Sequence, residues 1–261
     1  MFFIKNFLYF FRAGVIRAVY RKLGFILKYC EVSNAKIDKI NFIKYLLKSE
    51  IIKKRKKVLI EKQKSFYQTK YNFTDNDWFS PNIPIWQMIF NKINTVEKTL
   101  EYLEIGAYEG RSTIFVCENF QNIKVTVVDP YIKYDEMDAV VKNSSMEEVF
   151  ERFKQNTINF SERIDIYRNS SKDFFKKNTK KFDIIYIDGS HFYLDVKNDL
   201  INSLKFIKKN GIIILDDFIW DHYEKIQENP IGGILPTIQA NPNLKIESIS
   251  NQIILKVKSS A

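Results

Sequence analysis

Leu103-Glu104-Ile105-Gly106-Ala107-Tyr108-Glu109-Gly110-Arg111-Ser112-Thr113 is the stretch that decides the fold. An apolar run holding one acid ends in Gly106, and Gly110 follows before a helical pattern from Ser112 to Phe120. A strand enters a tight turn in this way and opens a helix whose free N–H groups face a ligand. Further on, Val125-Thr126-Val127-Val128 ends in Asp129. An acid at the tip of a second strand, about twenty residues after the turn, can accept hydrogen bonds from both hydroxyls of a ribose. The glycine spacing is not Gly-x-Gly-x-x-Gly, which argues against a nicotinamide dinucleotide.

Outward from this stretch, strands and helices alternate from Thr99 onward, the pattern of a parallel α/β sheet. Strands are expected at 100–105, 123–129, 163–168, 182–188, 211–216, 244–249 and 252–257. Helices are expected near 111–120, 145–157, 171–178, 192–208 and 222–240, the last broken around Pro230 and Gly232-Gly233. Ser250-Asn251 is too short for a parallel crossover, so the last two strands must be antiparallel.

A second constellation lies downstream. Asp188-Gly189-Ser190-His191 follows the fourth strand, and Asp216-Asp217 ends the fifth. Ligands of an open parallel sheet sit beyond the carboxyl ends of its strands, so Asp129, Asp188, Asp216 and Asp217 share the ligand edge. Asp188, Asp216 and Asp217 come from adjacent strands, and three such carboxylates repel one another unless a cation or protons compensate. Their oxygens suit Mg²⁺ or a similar hard divalent cation. Helix capping is the plainer role for any one of them. His191, one of two histidines, is placed to take a proton from a hydroxyl near neutral pH.

Charge is unevenly distributed. The chain has 261 residues and a net charge of +10, but residues 1–70 hold 18 basic against 4 acidic residues and the remainder 23 against 27. The divisions are a basic helical appendage over 1–70, an aromatic and proline-bearing linking segment over 71–98, and a ligand-binding domain over 99–261. The basic excess lies outside that domain, which argues against a nucleic-acid footprint on it. Residues 1–30 carry no acid, and charges recur too often for a bilayer span or a cleaved signal peptide. They form either a helix lying on an anionic membrane surface or one packed on the domain or a second subunit. Residues 36–68 read as helical, with Lys53-Lys54-Arg55-Lys56-Lys57 as a solvated face in preference to a contact for nucleic-acid or lipid phosphates. Asp77 to Trp86 reads as an ordered loop, either roofing a pocket or plugging the gap between appendage and domain. Two cysteines, with Cys117 in a buried helical pattern, suit a reducing, cytoplasmic setting.

Residues 103–113 resemble the first motif of metal-dependent class I O-methyltransferases that use S-adenosylmethionine (AdoMet), including the catechol type. Asp-Gly-Ser-His and the Asp216-Asp217 pair are similar to the macrocin branch, which acts on sugar hydroxyls. The resemblance covers roughly Thr99 to Lys258. It implies a Rossmann-like class I fold, mostly parallel with a C-terminal antiparallel hairpin. It implies that Glu104, Gly106, Tyr108 and Gly110 line the AdoMet pocket, that Ser112 holds the methionine carboxylate and Asp129 the ribose, and that Ser171 lies near the adenine. Asp188, Asp216 and Asp217 would hold the metal, with Asp188 or His191 as the base. Asp217 stands where the catechol type has Asn, and His191 where it has Lys. The expected activity is methylation of a hydroxyl on a small molecule, a sugar or glycoconjugate among the candidates. The alternatives are a nucleic-acid or protein methyltransferase docking through the basic appendage, and a catalytically silent protein that tethers a partner to a membrane. An Asp/Asn-Pro-Pro-aromatic motif after the fourth strand, common in amino methylation of bases, is absent.

Overall fold

The computed structural model describes residues 13–74, 76–93, 99–133 and 144–258. Residues 1–12 of the basic N-terminal segment therefore lie outside the described residues. Seven strands form one sheet in the order β3-β2-β1-β4-β5-β7-β6. They are β1 (Leu100–Ile105), β2 (Ile123–Val128), β3 (Ile164–Tyr167), β4 (Phe182–Ile187), β5 (Ile207–Leu215), β6 (Leu244–Ile249) and β7 (Ile253–Val257). The first five pair in parallel, and β7 runs antiparallel to both β5 and β6. The expected strands are all present, although β5 starts at Ile207 rather than Gly211.

Strand alternation explains why both faces are buried. Leu103, Ile105, Ile185, Ile187, Ile213 and Leu215 point into one core, while Tyr102, Ile184, Tyr186, Ile212 and Ile214 point into the other. A parallel sheet covered on both faces needs apolar residues at successive positions, which these strands supply. α5 (Arg111–Asn119) and α6 (Met146–Thr157) cover the second face, while α7 (Ser171–Lys177), α8 (Tyr193–Phe206) and α9 (Pro230–Gln239) cover the first. Local chemistry sets their starts. Ser145 accepts from Glu148 N at 3.4 Å and Ser170 from Asp173 N at 3.1 Å.

The appendage packs into the same cores. α1 (Ala13–Ser33) buries Val15, Val19, Ile26 and Tyr29, and α2 (Lys39–Arg55) buries Phe42 and Leu46, in the core that holds Ile249 and Leu255. Lys22 pairs with Glu50 at 2.5 Å, and Ser49 shares a 3.0 Å hydrogen bond with Ser248 of β6. The packed reading of the N-terminal helix thus holds for its described part. α3 (Lys57–Lys70) follows, so the helical stretch expected over 36–68 is two helices meeting at Lys56. The Lys53–Lys57 run is not uniformly solvated either. Lys53 turns inward to donate to Asn82 at 3.0 Å, and burial pulls its pKa down to about 8.

The segment expected as a loop over 77–86 is a 3₁₀ turn (Ser80–Asn82) running into α4 (Ile83–Phe90). Trp86 plugs the core, fully buried and edge-on to Tyr186 at 4.8 Å. Trp78 is half exposed and lies edge-on to Tyr108 of the glycine turn at 5.5 Å. The helix expected over 222–240 is shorter. The Asn229 side chain accepts from the N–H groups of His222 and Tyr223, folding residues 222–229 into a turn. Pro230 then opens α9, a first-turn position where its missing N–H costs nothing.

Candidate active site

The carboxyl ends of β1, β2, β4 and β5 converge on one edge of the sheet. Gly106 leaves β1 with φ +82°, and a Cβ there would stand 2.0 Å from the carbonyl oxygen of Asp188. Asp188 N in turn donates to Ile105 O at 2.7 Å. The turn after β1 and the start of the loop after β4 are therefore in backbone contact, which only a glycine allows.

Asp129, at the tip of β2, holds this turn. Its Oδ2 accepts from Ala107 N at 2.9 Å and Tyr108 N at 3.1 Å, and its Oδ1 from Tyr131 N at 2.8 Å. A carboxylate has roughly four lone-pair sites. Three are engaged by the backbone, so one remains for an incoming hydroxyl, where the sequence suggested two. Burial raises the Asp129 pKa, and the three N–H donors counter it.

Glu104 lies one turn deeper. It is fully buried, with one oxygen accepting from Ser112 Oγ and the other from Thr113 Oγ1 at 2.7 Å. Burial pushes its pKa up to about 7, against the pull of both hydroxyls. Glu104 and Ser112 are thus partners of each other at the first turn of α5. Ser171, expected near the adenine, opens α7. Its side chain is a hydrogen-bond partner of Asp199 on α8, and burial raises Asp199 to about 7.

The acidic cluster is layered. Asp188, His191 and Asp217 each offer a ligand atom, all within 4.8 Å of one another. His191 Nε2 is 3.5 Å from Asp217 Oδ2, and its ring meets Trp220 edge-on at 4.7 Å. Asp216 sits behind them. Tyr186 Oη bonds to Asp216 Oδ2 at 2.5 Å and to Asp188 Oδ2 at 2.7 Å. Gln252 Nε2 donates to the same Asp216 oxygen at 2.6 Å, and Trp86 Nε1 donates to Gln252 Oε1 at 2.7 Å. Asp217 N donates to Asp216 Oδ1 at 2.8 Å. The trio with converging ligand atoms therefore has His191 where the sequence placed Asp216.

One hydroxyl carries one proton, so Tyr186 cannot donate to both carboxylates. A proton on one carboxylate or a nearby cation relieves the pair, and the Lys53 ammonium interacts electrostatically with Asp216. Burial, reinforced by Asp216 and Asp217, holds Asp188 well above the usual carboxylate range. Two carboxylates and an imidazole with converging ligand atoms fit a divalent cation. Beside them a cleft of about 290 Å³ opens between α1 and the loop after β5. Arg21, Phe25, Asp217, Trp220, Asp221 and Asn251 are among its walls.

Sequence reasoning missed Tyr186, Gln252 and Trp86. Tyr186 was within reach, because residues two apart on a strand share a face. Gln252 depends on the β5–β7 register, in which Leu215 pairs with Ile253.

Comparisons with known proteins bear on the domain and its fold. Residues 103–218 match the family model described as a methyltransferase domain. An uncharacterized protein of Acanthamoeba polyphaga mimivirus is 28% identical over 157 residues, 59% of this chain and 68% of its own. The O-methyltransferase from Bacillus cereus, solved in complex with SAH (S-adenosylhomocysteine), superposes with a TM-score of 0.54 at 15% identity, covering 76% of this chain and 90% of its own. An O-methyltransferase from Streptomyces achromogenes involved in tomaymycin synthesis, solved with SAM, gives 0.51 at 10% identity, covering 77% and 89%. The last two likenesses are of fold. Residues 103–218 thus carry the match to a methyltransferase domain, and the sheet around them has the fold of these O-methyltransferase structures.

Proposed function

We propose that this domain transfers the AdoMet methyl group to a hydroxyl of a small molecule, a sugar or glycoconjugate being the class favoured by the sequence motifs. The carrying observation is the Asp188, His191 and Asp217 cluster, in backbone contact through Asp188 with the turn at Gly106. AdoMet would supply an electrophilic methyl on a sulfonium. The turn at Gly106 to Gly110 would take its methionine end, with Ser112 exchanging its bond to Glu104 for one to the carboxylate. The site left on Asp129 would take a ribose hydroxyl.

Asp188 and Asp217 would hold a divalent cation, with Asp216 completing the acidic set. Such a cation lowers the pKa of a nearby acceptor hydroxyl. Tyr186, Gln252 and Trp86 orient the carboxylates from behind. His191, braced between Asp217 and Trp220, is the base that takes the hydroxyl proton. The cleft between α1 and Trp220 would seat the acceptor, so that catalysis is chiefly positioning of oxygen against methyl.

The test is a methyl-transfer assay over a panel of hydroxylated acceptors, run with Mg²⁺ and with excess chelator. Transfer to oxygen that stops in chelator, while calorimetry still registers AdoMet binding, supports the proposal. Undiminished transfer in chelator removes the cation. Absence of AdoMet binding removes the whole reading.

A further inference from the structure

Apart from Arg21, which also lines the cleft, the outward face of α1 has no role in the site. Arg17, Arg21 and Lys28 are exposed on the side of the helix opposite Val15, Val19, Ile26 and Tyr29. Beside them Tyr20 is 79% and Ile16 41% exposed. No acid occurs in the chain before Glu31.

We infer that the protein docks on an anionic lipid surface through the exposed face of α1. Basic side chains interleaved with Phe, Tyr and Ile are the composition that partitions into a headgroup layer: the cations meet lipid phosphates and the rings enter the acyl boundary. A nucleic acid would satisfy the cations but leave Ile16 in water. No described helix is long and apolar enough to cross a membrane, so the contact is with the surface. Arg21 and Phe25 of the same helix line the cleft beside Asp217, and docking would hold the cleft mouth next to the headgroups. The inference does not depend on the methyl-transfer reading, because its readout involves neither cofactor nor acceptor.

The experiment is flotation of the full chain with phosphatidylcholine vesicles, with and without about one third phosphatidylglycerol. Binding is expected to the anionic vesicles alone and to weaken with added salt. Arg17→Gln combined with Lys28→Gln should lower the partition about thirty-fold, the equivalent of about 1 kcal/mol per basic group at an anionic surface. Both positions are exposed, and an unchanged unfolding curve controls for folding. Equal binding to neutral vesicles, no binding at low salt, or a partition untouched by the double substitution overturns the inference. Retention of single-stranded RNA in place of vesicles overturns it in favour of a nucleic-acid partner.

Discussion

Gly106→Ala should disable the site and weaken the fold together. Gly106 has φ +82°, where an L-residue is strained by about 1–2 kcal/mol. The added Cβ would stand 2.0 Å from the Asp188 carbonyl oxygen and 2.5 Å from its carbon. These are backbone atoms, so the strand ends must separate by more than 1 Å to restore ordinary contact, and overpacking of this kind costs about 1–3 kcal/mol. The combined loss is about 2–5 kcal/mol. Separation also strains the 2.7 Å bond from Asp188 N to Ile105 O and moves the Asp188 carboxylate. Urea denaturation should show the stability loss, and calorimetry with S-adenosylhomocysteine should show affinity lowered more than about tenfold. Gly24→Ala is the internal control. It lies within α1 with nothing within 4 Å of the added carbon, so it should gain about 0.5–1 kcal/mol. A Gly106→Ala protein as stable as the parent, with unchanged affinity, would refute the close approach of β1 and β4 on which the site is built.

Other outcomes follow from the same geometry. The cofactor-free protein should lose stability as pH rises: burial holds Glu104 and Asp199 up to about 7, so the folded state binds protons the unfolded chain has released. From about pH 5 to 7 each group contributes a loss of about 2 kcal/mol, while Lys53, lowered to about 8, stays protonated over most of that range. Glu104→Gln should remove its share of the slope in urea titrations, and an identical slope would reject the buried acid. Tyr186→Phe strips the shared hydroxyl from Asp188 and Asp216, and should cost about 1–3 kcal/mol in the cation-free protein, read by thermal unfolding. Added Mn²⁺ should recover part of that loss if the cation is what the carboxylates lack. His191→Ala should lower kcat and leave Mn²⁺ affinity largely intact, whereas Asp217→Asn should lower Mn²⁺ affinity. The reverse pattern would make His191 a ligand rather than the base.

The parts of the fold visible in the sequence were those written in local pattern. Strand alternation and the Gly106 turn gave the sheet, and the short Ser250-Asn251 link gave the antiparallel end. The break at Lys56 carries no proline or glycine to mark it, since Lys56 simply leaves helical geometry where α2 and α3 part. Lys53 looked like its four basic neighbours, and its inward turn depends on Asn82 from another element. At the site, the strand tips Asp129, Asp188 and Asp217 were legible because a parallel sheet puts its carboxyl ends on one edge. Gln252 and Trp86 were not, because they reach Asp216 through strand register and tertiary packing. Ser171 was drawn to Asp199 by a helix–helix contact that no local spacing encodes.

The most direct test of the account is an anomalous-diffraction map from crystals grown with S-adenosylhomocysteine and Mn²⁺. The account predicts one Mn²⁺ peak at the Asp188 and Asp217 carboxylates, with the nucleoside over the Gly106 turn and a ribose hydroxyl on Asp129. An ordered nucleoside with no peak at those carboxylates, or a peak elsewhere on the molecule, would contradict it.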